Sequence, residues 1–200
     1  MTKKYEFTGE TKTFTGKTLN RIRALRDFAY ITAGDLGGWI ESEGNLSHDG
    51  DAWVDGDARV SGDARVSGDA RVSDKARVSG DARVSGKARV SGKARVCDKA
   101  LVDGDARVSG NALIGRLDDY ICVTSIGSEN GFFTAYLTKT GNIECNCGCF
   151  GDDETKTLAE FASAVEATHG DNEHAQAYRH MIAMVKARLE PLAAKRRAEL

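Results

Sequence analysis

Between Asp51 and Ile114 apolar and polar positions return with a strict period of six. The run reads DAWVDG DARVSG DARVSG DARVSD KARVSG DARVSG KARVSG KARVCD KALVDG DARVSG NALI. Side chains two apart on an extended chain share a face. Ala and Val therefore point one way, from Ala52 and Val54 through to Ala112 and Ile114, while the Arg between them and the Ser after Val point the other. Val suits a pleated surface because its branched β-carbon restricts it to strand-like rotamers. Gly closes most units and permits a sharp corner; its substitutes, Asp74 and Asp98, belong to a residue type that tolerates positive φ. Each hexad predicts one short strand and one corner. Three sides close a triangle, so residues 18 apart stack at strand spacing, roughly 4.8 Å. The Ala–Val alternation fills a narrow prism without voids.

Outside this run the period is lost. Tyr5 and Phe7 alternate, Gly9 and Gly16 mark turns, and Leu19 to Phe28 predicts one or two strands. A β-solenoid leaves unpaired strand edges at its ends, and residues 1–37 are expected to cap the first of them. Ile40 and Leu46 fall on the Ala column extended backwards, which starts the solenoid near Gly38 and places its span at 38–115. Residues 116–200 predict a small α+β domain of three strands and two helices. Tyr120 to Ile126, Phe132 to Lys139 and Ile143 to Phe150 have strand character. Thr157 and Glu160 form a capping box before LAEFASAVEAT, and Asp171 or Asn172 caps a second helix from Glu173 to about Leu189. Ala177, Met181, Met184, Val185 and Leu189 recur on its sheet-facing side, and Pro191 is expected to end or kink it.

The Val–x–Gly–x–Ala–x pattern resembles the hexapeptide repeat of left-handed parallel β-helices known from acyltransferases. An uninterrupted run of such units is also similar to phage and prophage proteins described as polymer-forming, as is AGDLGGWIE near the N-terminus. The fold expected is mainly β: a left-handed parallel β-helix with an N-terminal β cap and a C-terminal α+β domain. Left-handedness is implied by the resemblance alone, since general rules favour right-handed crossovers. The segment CGCFGDDETKTLAEFASAVEATHGDNEHAQAYRHMI resembles a C-terminal module common in phage proteins, and on that resemblance Cys147, Cys149 and His169 are candidate zinc ligands. Against this, the C-x-C-x-C spacing spreads thiols too widely for one ion on a flat strand, and small cysteines packed beneath the helices are the plainer reading.

Composition narrows the partners. The net charge of −2 gives no bulk attraction to nucleic acid or to an anionic membrane. No apolar leader or membrane-length run is visible, and five cysteines without a leader suggest reduced thiols, so a cytoplasmic setting within a bacterial host is expected. Arginines form three outward ladders: Arg59, Arg77 and Arg95; Arg65 and Arg83; Arg71, Arg89 and Arg107. They are the candidate binding wall, set against a merely solubilising exterior whose stems cover the strands. Aromatic residues are nearly absent from the repeats, which argues against a single-strand nucleic-acid platform. Acyl transfer lacks a looped-out insertion, and the nearby His48 stands at the first coil without a hydroxyl to deprotonate. Cys97 replaces an outward Ser without an evident base. The expectation is a non-catalytic, cofactor-free interaction protein of phage type that binds a host protein or complex, with a counter-defence inhibitor as its sharpest form. The alternatives are a homo-oligomeric scaffold, a sponge for a small anionic signalling molecule, and an acyltransferase.

Overall fold

A computed structural model of the chain describes residues 3–128, 131–147 and 156–200. Its centre is a parallel β-solenoid of about four turns. After the first coil, each coil contributes one two-residue strand to each of three faces. On the first face, β3 (Leu36–Ile40) is followed by β5 (Arg59–Val60), β8 (Arg77–Val78), β11 (Arg95–Val96) and β14 (Leu113–Ile114). The second face stacks β6 (Arg65–Val66), β9 (Arg83–Val84) and β12 (Leu101–Val102). The third stacks β4 (Trp53–Val54), β7 (Arg71–Val72), β10 (Arg89–Val90) and β13 (Arg107–Val108).

Backbone groups close the stack rung by rung. Arg71 N donates to Ala88 O at 2.9 Å and Ser73 N to Val90 O at 2.9 Å, and the other coils repeat this. The Ala and Val columns are at most 1% exposed throughout, so they fill the interior as the alternation requires. Asp74 and Asp98 hold positive φ at the corners, and the Asp74 carboxylate accepts from Gly92 N one coil above.

The first coil departs from the extrapolated pattern. Ile40 pairs with Val60 and Leu46 with Val66, whereas Val54 pairs with Val72. Ile40 and Leu46 therefore occupy Val positions, not Ala positions. The cause is an eight-residue side from Leu46 to Val54: two extra residues widen this corner, and the neighbouring N-terminal chain fills the widened end. Lys4 is fully buried there and donates from Nζ to Gly50 O and Ala52 O. Tyr5 donates from its hydroxyl to Leu46 O at 2.9 Å and stacks on His48 at 4.3 Å.

A hairpin of β1 (Tyr5–Phe14) and β2 (Lys17–Ala24) joins β3 antiparallel and extends the first face beyond the coil. At the other end, β15 (Tyr120–Ile126), β16 (Gly131–Leu137), β17 (Ile143–Cys147) and the short β18 (Lys156–Thr157) form an antiparallel sheet. Strand alternation divides this sheet. Tyr136 joins the solenoid core, and Asn146 reaches Arg107 O and Ser109 Oγ of the last coil. Phe133, Ala135, Leu137, Cys145 and Cys147 face the helices α1 (Leu158–His169) and α2 (Glu173–Ala198).

The capping box forms as expected: Thr157 Oγ1 accepts from Glu160 N at 3.2 Å, and Glu160 Oε2 accepts from Thr157 N at 2.8 Å. Asn172 caps α2. That helix runs through Pro191 to Ala198, so the proline does not end it near Leu189, the first of the two outcomes expected from sequence. Buried Leu189 and Ala193 hold the chain on either side of the proline. Beyond it, Arg196 donates to Leu113 O and Thr138 O and pairs with the buried Asp119 at 2.8 Å. Such a clamp offsets the hydrogen bond that proline removes, a loss of about 3 kcal/mol in an unsupported helix. The buried stripe of α2 is also rotated from the expected one. It keeps Met181, Val185 and Leu189 and adds Ala175, Tyr178 and Ile182, leaving Ala177 and Met184 exposed.

Candidate functional site

The three arginine ladders are stacked in register. Arg59 aligns with Arg77 and Arg77 with Arg95; Arg65 aligns with Arg83; Arg71 aligns with Arg89 and Arg89 with Arg107. Near-identical repeats by themselves would make three equivalent walls. The segments outside the repeat make them different.

On the first face Phe14, at the hairpin tip, lies against Arg59 and Arg77 at 4.2 and 4.7 Å. Burial and the neighbouring guanidiniums of Arg59 and Arg95 push the pKa of Arg77 below its ordinary value. On the second face Arg65 and Arg83 are exposed, and Leu101 ends the row after two rungs.

The third face carries an unbroken row of three above a buried Trp53, which Phe28 meets edge-on at 5.4 Å. The Tyr30 ring stacks on the Arg71 guanidinium at 3.7 Å, and the Phe132 ring on Arg107 at 4.1 Å. Stacking of this kind is worth roughly 0.5–2 kcal/mol and fixes otherwise mobile side chains. Arg89, in the middle, is exposed and forms no ion pair among the described residues. A recess of about 300 Å³ opens over this row, with Tyr30, Ser73, Ser91 and Asn146 on its walls. Two carboxylates border it, and both are engaged by backbone N–H groups, Asp55 by Gly56 and Asp74 by Gly92. Burial raises the pKa of the Tyr30 phenol, with Arg71 pulling against that shift, so the ring meets a ligand as a neutral phenol. The arrangement is a rigid, donor-rich groove suited to acidic groups, since guanidinium forks match carboxylate and phosphate geometry.

Tyr30, Phe132 and Phe14 were not readable as site residues. They lie outside the repeat, and nothing in spacing links them to particular arginines. Their presence also removes the sequence-based objection that the ladders lack stacking rings, because the rings come from outside the repeat.

Two of the three zinc candidates, Cys147 and His169, lie among the described residues. Cys147 lies beneath the helices at 6% exposure, and His169 sits at the end of α1, 5.7 Å from the Tyr178 ring and 5.9 Å from His174. Cys149 lies outside the described residues. Among the described residues no three His, Cys, Asp or Glu side chains converge to hold a cation. Burial, reinforced by Cys147, pushes the Cys145 thiol up to about 12. Cys97 is half-buried beside Asp98, and burial pushes its thiol up to about 11. His48 is committed to the N-terminal cap: it stacks on Tyr5, and its Nδ1 accepts from Lys4 N. No described helix is long and apolar enough to cross a membrane.

Residues 58–74 and 76–92 match the family model of the YdcK beta solenoid repeat. Over those coils the chain is similar to that family, and the match and the fold together identify a β-solenoid repeat protein. No curated protein matches the chain.

Proposed function

We propose that this protein is a non-catalytic interaction module whose third solenoid face binds an acidic surface of a macromolecular partner. One observation carries the reading: the row of Arg71, Arg89 and Arg107 is held at both ends by Tyr30 and Phe132 and left open at its centre. A solubilising exterior has no need to immobilise its charges, and stacked like charges cost stability unless something neutralises them. The setting proposed, a phage-type accessory protein acting on a bacterial host protein or complex, rests on the resemblance of the AGDLGGWIE segment and the C-terminal module.

The test is a pull-down from bacterial lysate with three baits. These are the natural chain, Arg71→Glu with Arg89→Glu, and Arg65→Glu with Arg83→Glu on the second face. The expected result is a salt-sensitive partner retained by the first and third baits and absent from the second. Retention by the third-face variant, with its solenoid intact by circular dichroism, would refute the reading.

A further inference from the structure

We infer that a second copy of this chain docks on the second solenoid face, giving a side-by-side dimer whose two coils run parallel. The inference is independent of the third-face reading. Two columns of opposite charge stand next to each other on the second face. Arg65 and Arg83 stack in register, and Asp63 and Asp81 precede them by two residues at the corner. All four side chains are exposed, and none forms an ion pair among the described residues. Both columns line a recess of about 580 Å³. Its far end is apolar: Leu101 follows Arg83 in the row, and the short turn Leu117–Asp119 adds Leu117, which is 59% exposed.

Symmetry selects the occupant. A two-fold axis parallel to the solenoid axis keeps every rung level with its own copy and exchanges the two columns. Asp63 of one copy then meets Arg65 of the other, and Asp81 meets Arg83, so two rungs supply four ion pairs. Each arginine row lies along the recess of the other copy, against its acidic wall, and the leucines of both copies meet at one end. With the copies antiparallel, Asp81 would face Asp81, Arg83 would face Arg83, and Arg65 would face Leu101. The other faces lack this self-complementarity. The corner residues of the first are Asp57, Lys75 and Lys93, and on the third Lys87 stands beside Arg89 in the central rung. Paired on themselves, those faces would set cation against cation, which is destabilising. On the second face the like charges stacked along each column repel within one copy, and pairing neutralises both columns together.

The size of the patch sets the strength. Arg65, Arg83, Leu101 and the turn above them span about 15 Å along the axis. Such a patch falls short of the roughly 800 Å² per partner of a standard interface, so the dimer is a weak one, with a Kd on the order of 10–100 μM.

The experiment is sedimentation velocity of the full chain from about 2 to about 200 μM at low salt. A concentration-dependent shift from monomer to dimer is expected, weakened by about tenfold or more at roughly 0.5 M salt. The deciding variant exchanges the columns: Asp63→Lys, Arg65→Asp, Asp81→Lys and Arg83→Asp. It keeps the net charge, and Lys75 and Lys99 already occupy that corner position of the hexad. It should dimerise as well as the natural chain yet fail to join it, since acid would then face acid and cation face cation. Labelled natural chain titrated with either unlabelled chain reads this by fluorescence anisotropy. Arg65→Glu with Arg83→Glu, which leaves only acids in both columns, should stay monomeric, with its fold checked by circular dichroism. A natural chain that is monomeric at every concentration overturns the inference, and a trimer overturns the two-fold. Loss of self-association in the exchanged variant, or its free mixing with the natural chain, overturns the rung-by-rung match. Dimerisation of Arg65→Glu with Arg83→Glu at natural strength removes the second face as the interface. Each of these outcomes leaves the third-face reading to its own test.

Discussion

Reversing the central charge of the third-face row separates function from stability. Arg89 has a guanidinium directly above it at Arg107 and directly below it at Arg71. Opposite charges across paired strands contribute roughly 0.2–1 kcal/mol each, and like charges directly opposite are destabilising. Arg89→Glu exchanges two unfavourable neighbours for two favourable ones. The nearby Asp55 and Asp74 carboxylates take back part of the gain. The net expectation is a stabilisation of about 0.5–2 kcal/mol, or roughly 1–8 °C in Tm for a chain of this size. Thermal melts followed by circular dichroism at 20 mM and at 1 M salt read it directly. Screening over about 3 Å at 1 M salt should erase most of the gain, because the rungs are wider apart than that. Arg89→Gln should fall between the two. The same variant should lose its acidic partner, so stability rises as binding falls, the signature of a surface kept charged for recognition. An Arg89→Glu variant no more stable than the natural chain at low salt, with its fold intact, would refute the claim that Arg89 is repelled by its neighbours in the row.

Four further outcomes are expected. Val84→Ala, which opens a void in the filled prism, should cost about 1–3 kcal/mol in chemical denaturation. Arg196→Ala leaves Asp119 buried without its charged partner and should cost about 3–5 kcal/mol, detaching α2 from the last coil and visible as early loss of helical signal. Burial pushes the Lys4 ammonium down to about 8, while the unfolded chain keeps that proton to about 10.4. The unfolded state therefore binds more protons between these values, stability of the N-terminal cap should rise as pH goes from 8 to 10, and Lys4→Met should abolish the rise. Burial raises the neighbouring Tyr5 phenol above its ordinary value, so the stability it contributes should be lost as pH climbs past about 10, giving a maximum near that pH in melts across the alkaline range.

What could be read in advance followed from strict periodicity. Alternation within the hexad put Ala and Val inside, and 18-residue coils gave the correct partners for every arginine row. Periodicity failed where the chain stopped obeying it. The eight-residue side before Val54 shifted Ile40 and Leu46 onto Val positions, and extrapolation has no means of detecting an inserted pair. The path of α2 through Pro191 depends on Arg196 reaching Leu113, Thr138 and Asp119, contacts far away in sequence. In the same way the partners of Arg71 and Arg107 come from Tyr30 and Phe132, which local pattern cannot assign.

These long-range additions explain how a repetitive coil acquires one distinct site. Units differing at a corner residue or two present nearly the same surface on every side, and a partner meeting only the repeat would have three similar places to bind. The chain breaks that equivalence from its ends. The hairpin lays Phe14 on two arginines of the first face, and Leu101 shortens the second row. The third face receives rings at both ends and keeps its middle rung open. Both additions also occupy strand edges of the coil, β2 beside β3 at one end and the strands β16 and β17 over β13 at the other. A scaffold built by stacking coils would have to displace both. On the reading proposed here, the end segments do two things at once: they stop the coil from growing and they set the length of its recognition surface at three rungs.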